Sequence, residues 1–187
     1  MGISVTGRHV WSMCRSCGLA ASIAIGAMVL IALALAMTWR SPSTIETHRE
    51  IPAFDLPGAD GSDGLSSKDF SGHVVILTVW SSWCADCRAE QKTLASLVSH
   101  YDVPLYGLDY RDRPAAAREL LKESGHPFTR MGVDADGAVA ARLGIFAIPE
   151  SLLVGPDGQI LHRHTGVVTS EAFEAYFLPL IEKARTR

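Results

Sequence analysis

VVILTVWSSWCADCRAEQ, residues 74–91, changes its hydrophobic period halfway along. Val74 to Trp80 is a nearly unbroken apolar, β-branched run of strand length, the pattern of a strand buried on both faces of a sheet. Beyond it Leu94, Leu97 and Val98 recur at helical spacing with polar residues between them. Cys84 and Cys87 therefore fall where a buried strand turns into a helix, with Cys84 at the helix N-terminus. Unpaired backbone N–H groups and the helix dipole favour a thiolate there. Cys84 is read as the sulfur that attacks a substrate disulfide, and Cys87, one turn inward, as the thiol that resolves the mixed disulfide.

C-x-x-C spacing also fits half a zinc site or a structural disulfide. A zinc site needs two more ligands with spacing of their own, and none of the seven His residues supplies such a pattern. His162 and His164 alternate along a strand and are expected at its surface. No metal and no cofactor are expected; the cysteine pair carries the chemistry.

Outward from the motif, Val103 to Leu108 reads as a strand and Pro114 to Glu123 as a helix with proline in its first turn, stopped at Gly125-His-Pro. Ala138 to Leu143 is a short helix. Ser151 to Val154 and Gln159 to Thr165 are strands joined by Gly155-Pro-Asp-Gly158, and Ser170 to Lys183 closes the chain as a helix. Parallel β-α-β units followed by a hairpin and a terminal helix predict an α/β, thioredoxin-like fold, a mixed central sheet flanked by helices.

Upstream, the 187-residue chain has no charged residue between Ser16 and Trp39. GLAASIAIGAMVLIALALAM is long enough for a membrane-crossing helix of about 20 residues, and longer than a signal-peptide core of roughly 7–15. The expected organisation is residues 1–40 as a cytoplasmic N-terminus and single transmembrane helix, 41–50 as a linker, and 51–187 as the folded domain, entered by a short edge strand at Ile51–Leu56. Arg8 and Arg15 before the span are balanced by Arg40 and Arg49 after it, so charge does not orient it. Cys14 and Cys17 sit at its edge with no second ligand pair and read as bystanders.

Three of the 17 Lys and Arg residues, Arg8, Arg15 and Arg40, precede residue 41, while all 20 Asp and Glu residues follow it, so the remainder carries a net charge of −6. An acidic domain without a basic cluster is no nucleic-acid binder.

With these segments in view the chain resembles the CcmG/DsbE family of thioredoxin-like proteins of cytochrome c maturation. The resemblance runs from about Ile51 to the end, and includes the anchor. It is carried by VWSSWCADCRAE at 79–90, YGLDYRD at 106–112, VDADG at 133–137, LGIFAIPES at 143–151 and GPDGQILHRHTG at 155–166. It implies a cis proline at Pro149 lying against the cysteines, where a missing N–H leaves neighbouring backbone free for an extended substrate. It also implies a groove formed with Trp83, Glu90 and Glu150. Thioredoxins place a buried Asp six residues before the first cysteine; Thr78 stands there, which leaves Glu90 as the nearest group to take the proton of Cys87. Departures from the family pattern are Ala85 in place of proline, Phe146 in place of tyrosine, and Ala147-Ile148 in place of Gly-Ala. Asp86, between the cysteines, suits the helix dipole but disfavours the thiolate.

The function so implied is a membrane-anchored protein-disulfide reductase on the periplasmic side of a bacterial inner membrane. It would reduce apocytochrome c, or a cytochrome c assembly thiol protein, and draw electrons from a membrane donor of the DsbD/CcdA type. An oxidising compartment is where a dedicated reductant has a task, and this orients the anchor. A TlpA/ResA-type reductase with another client, such as a cytochrome oxidase assembly protein, is the alternative. A general oxidase lacks room for its helical insertion between Pro104 and Leu143. A peroxidase cysteine would follow Thr and Pro, and a copper chaperone would have three residues between its cysteines.

Overall fold

The computed structural model describes residues 26–28, 31, 50–59 and 63–186. The chain divides into two units, Met1–Glu46 and Thr47–Arg187. In the first, residues 26–28 and 31 are helical. Most of the expected transmembrane segment, with Cys14 and Cys17, lies outside the described residues, among which no helix is long and apolar enough to cross a membrane.

The second unit is built on a five-stranded sheet. Its strands are β3 (Val75–Trp80), β4 (Leu105–Tyr110), β5 (Arg130–Asp134), β6 (Glu150–Val154) and β7 (Ile160–Thr165), in the order β5-β4-β3-β6-β7. β3, β4 and β5 are parallel to one another, β6 runs antiparallel to β3, and β7 runs antiparallel to β6. Every residue of the central β3 is buried, as its unbroken apolar run requires. A two-residue pair, β1 (Asp55–Leu56) and β2 (Leu65–Ser66), forms the entry hairpin.

Side chains alternating across the sheet divide the core in two. Ile76, Trp80, Leu105 and Leu153 pack beneath α1 (Ala85–His100), α2 (Pro114–Ser124) and the C-terminal helices, through Leu94, Ala117, Phe173 and Phe177. Val75, Leu77, Val79 and Leu152 face the hairpin and α3 (Ala138–Arg142), through Phe54, Leu65, Val139 and Ala140. The last segment is α4 (Ser170–Ala172), a π-helical turn at Phe173–Phe177 and α5 (Leu178–Arg185).

Three readings need correction. β5 is a strand where the sequence suggested none. Arg130-Met-Gly-Val-Asp has no clean alternation, and its glycine serves tertiary packing: a Cβ on Gly132 would come within 2.7 Å of Leu56 Cβ and 2.9 Å of Leu65 Cβ. The hairpin thus lies directly on β5, and Val133 N–H donates to Pro57 O at 2.9 Å. β4 starts and ends two residues later than expected, because register with β3 pairs Ile76 with Leu105 and Trp80 with Asp109. His162 and His164 are half-buried rather than at the surface, since the Phe177 ring packs against both, 5.0 and 6.1 Å away.

Candidate active site

Cys84 is the N-cap of α1, and its sulfur accepts the Cys87 backbone N–H at 3.1 Å. This is the local geometry expected of a strand-to-helix turn: an orphan N–H of the first helical turn is aimed at sulfur. The two cysteines form a disulfide with Cα atoms 5.3 Å apart. Cys84 is 7% exposed and Cys87 2%, so whatever reaches the pair from solvent meets Cys84 first.

Three loops meet at this end of the sheet. Residues 81–84 leave β3, 111–113 leave the adjacent β4, and 144–149 enter β6, whose Glu150 pairs with Val79. The Trp83 ring is 58% exposed and Phe146 84%, two large apolar side chains on loops at this end of the sheet. Trp83 Nε1 donates to Arg111 O at 3.2 Å, and Arg88 Nη1 to Ser82 O at 2.8 Å. The Ile148–Pro149 peptide is cis, and Pro149 O accepts Gly166 N–H at 2.9 Å.

Behind the disulfide lies a cavity of about 10 Å³, lined by Thr78, Trp80, Cys87, Glu90, Gln91 and Pro149, among others. Glu90 is 2% exposed. It is neither a solvated helix residue nor part of an open groove: it sits inside, with Cys87. Burial pushes its carboxyl up to about 7, opposed in part by the Val168 backbone amide and the Ser151 hydroxyl. Ser151 Oγ is 3.5 Å from Glu90 Oε1 and 3.0 Å from Thr78 Oγ1, a short hydroxyl chain ending on the carboxyl. Thr78, Glu90 and Pro149 are thus brought together around Cys87.

Glu150 is elsewhere. Alternation along β6 turns Ser151 toward Glu90 and Glu150 toward the opposite face with Leu152 and Val154. There it is buried and paired with Arg163, which also donates to Leu143 O at 2.6 Å. Desolvation raises its pKa, and Arg163 opposes the rise. The single groove expected of the two glutamates is parted by the sheet.

Sequence reasoning passed over Asp109, Asp112, Gln91 and Ser151. Asp109 is fully buried at the end of β4, and Asp112 accepts the Ser82 backbone N–H and, at 2.7 Å, its hydroxyl. The one available signal is an acidic residue between Leu108 and Tyr110 in a strand-like run. Among the described residues no group of His, Cys, Asp and Glu is placed to hold a metal ion.

A family model described as AhpC/TSA family matches residues 47–163. The thiol:disulfide interchange protein DsbE of Pseudomonas aeruginosa is 34% identical over 149 residues, covering 78% of this chain and 82% of that protein. DsbE of Escherichia coli K12 is 31% identical over 169 residues, 83% of this chain and 91% of its own. Among solved structures, the thioredoxin domain of a thiol-disulfide oxidoreductase from Bacteroides vulgatus superposes with a TM-score of 0.62 at 19% identity, covering 74% of this chain and 99% of that one; this likeness is one of fold.

Proposed function

Because the chain belongs to the DsbE thiol:disulfide interchange proteins within the AhpC/TSA family, and is a thiol:disulfide oxidoreductase of thioredoxin-like fold, we propose that it is the reductase of cytochrome c maturation. It would be held by its N-terminal apolar segment to the periplasmic face of the inner membrane, with residues 51–187 as the working domain. The observation that carries the reading is the asymmetry of the pair: Cys84 caps a helix at the rim, while Cys87 is backed by a buried carboxyl.

In the reduced protein the Cys84 thiolate attacks one sulfur of a client disulfide, forming a mixed disulfide and releasing the first client thiolate. Cys87 then loses its proton to Glu90 and attacks Cys84 Sγ; the Cys84–client bond breaks and the second client sulfur leaves as a thiolate, to which Glu90 returns the proton. Two electrons have passed to the client, and the pair ends as the disulfide described above. A membrane thiol donor of the DsbD/CcdA type returns it to the dithiol. Glu90 suits the proton transfer because a base with a pKa near the working pH is ionised often enough to accept and weak enough to release. Trp83 and Pro149 flank the approach of an extended client, and the Glu150–Arg163 pair fixes the strand that starts directly after Pro149.

The test is Cys87→Ser expressed in a host with its own cytochrome c pathway. Without the resolving thiol, clients remain on Cys84 and can be identified after non-reducing capture. Apocytochrome c, its assembly thiol protein or the membrane donor is the expected catch. A cytochrome oxidase assembly protein would move the assignment to a TlpA/ResA-type reductase, and a broad set of secreted proteins would overturn it.

A further inference from the structure

Asp109 is 0% exposed, and neither of its carboxyl oxygens has a hydrogen-bond donor. Its strand partners, Trp80 on β3 and Val133 on β5, carry no charge. The neighbouring buried aspartate, Asp134 on β5, shows the ordinary solution: its oxygens accept the Val139 and Ala140 N–H groups at 3.1 and 2.8 Å. An ionised carboxylate left bare in the interior costs several kcal/mol, so a residue in the position of Asp109 keeps a proton or finds one to share.

Asp112 is the group that faces it, and the two interact directly. The chain doubles back between them because Arg111 adopts φ 47, a left-handed conformation that a non-glycine residue adopts at a cost. The guanidinium groups of Arg111 and Arg88 are engaged elsewhere. Arg111 Nε donates to Asp136 O at 2.9 Å and its guanidinium lies over the Tyr110 ring. Arg88 Nη1 donates to Ser82 O, and Arg113 gives Asp112 its backbone N–H at 2.7 Å. Asp112 in turn holds the residue two before Cys84 by both its N–H and its hydroxyl.

We infer that Asp109 is a positioning residue for the disulfide-exchange reaction: its carboxylic acid shares one proton with Asp112, and the resulting acid–carboxylate pair clamps Ser82 and with it the Trp83–Cys84 turn. One proton on the pair lets Asp109 donate to Asp112 while Asp112 still accepts from Ser82. Loss of that proton sets the buried Asp109 carboxylate against the half-buried Asp112 carboxylate, and the repulsion acts on the arm that holds the loop. Burial and the Asp112 charge push the Asp109 carboxyl up to about 7, so the clamp loosens as pH rises through that range. The inference rests on the assignment of Cys84 as attacking thiol only for its kinetic consequence; the pair's protonation and the loop's stability can be read whatever the client is.

The experiment uses the full-length chain in detergent with aspartate 13C-labelled at the side-chain carboxyl. A pair resonance with a midpoint near 7 is expected, assigned by its absence from Asp109→Asn. Protection of the Ser82 amide from hydrogen exchange, corrected for base catalysis, should fall about tenfold across that midpoint in the wild type and stay level in Asp109→Asn, whose amide donates to Asp112 at every pH. The step should persist in Glu90→Gln, which removes the buried carboxyl beside Cys87 that is also pushed up to about 7. An Asp109 carboxyl that titrates near 4, the ordinary carboxylate range, would overturn the inference without recourse to any variant. So would the same Ser82 profile in wild type and Asp109→Asn.

Discussion

Glu90 and Glu150 are both buried, at 2% and 4% exposure, and burial raises both carboxyls, yet they do different things. Glu150 meets a guanidinium on the far side of the sheet. Its desolvation is offset by a charged partner, and it holds β6 to β7 through Arg163. Glu90 meets two hydroxyls in series and the resolving cysteine, with no cation among the described residues to offset its burial. A buried acid with a partner is structure; the same acid denied one is held near neutrality, where it can move a proton.

The comparison breaks most readily at Glu90. Glu90→Gln should slow resolution of the mixed disulfide about a hundredfold at pH 7, the usual scale of a lost general base, while the first attack by Cys84 changes little. Stopped-flow thiol exchange with a model disulfide separates the two steps; equal slowing of both would remove Glu90 from the proton path. The same variant carries a stability signature. Glu90 binds a proton more tightly folded, near 7, than unfolded, near 4.5, so its contribution falls as pH rises from about 4.5 through 7 and is level above. Denaturant titrations should therefore find Glu90→Gln more stable than wild type by up to about 3 kcal/mol at pH 8, with the gap closing by pH 4.5.

Glu150→Gln should move stability far less: the lost attraction to the half-buried Arg163 and the desolvation relieved at Glu150 nearly cancel, so denaturant titrations at neutral pH should place it close to wild type. Stopped-flow should register a smaller slowing of resolution than in Glu90→Gln. A larger slowing would mean that the two carboxyls act together after all. The finest test is Ser151→Ala, which removes the hydroxyl that favours the ionised Glu90. The midpoint of resolution against pH should move up by roughly half a unit; an unmoved midpoint would take the hydroxyl chain out of the mechanism.

Local pattern reported local structure well. The apolar run of β3 and its turn into α1 could be read directly, because a strand buried on both faces and a helix with one buried stripe leave different periods in the sequence. The proline at the first turn of α2 and the Gly-Pro-Asp-Gly turn between β6 and β7 were legible for the same reason. β5 was not, since Arg130–Asp134 is a strand by virtue of β4 on one side and the entry hairpin over Gly132. A partner hundreds of atoms away along the chain leaves no period to find.

At the site, the reactive pair and its place at a helix N-terminus were legible in the sequence, because each depends on residues within a few positions of one another. What the acids do follows from tertiary packing. Glu90, Glu150 and Asp109 are the same functional group in the sequence, and their charge states depend on which carbonyls, hydroxyls and cations the fold brings within hydrogen-bonding reach. Alternation along β6 sent Glu150 to Arg163 and Ser151 to Glu90, and the turn at Arg111 brought Asp112 back to Asp109. Electrostatics inside a protein is set by distance in space and by exclusion of water, and neither is written in the order of residues.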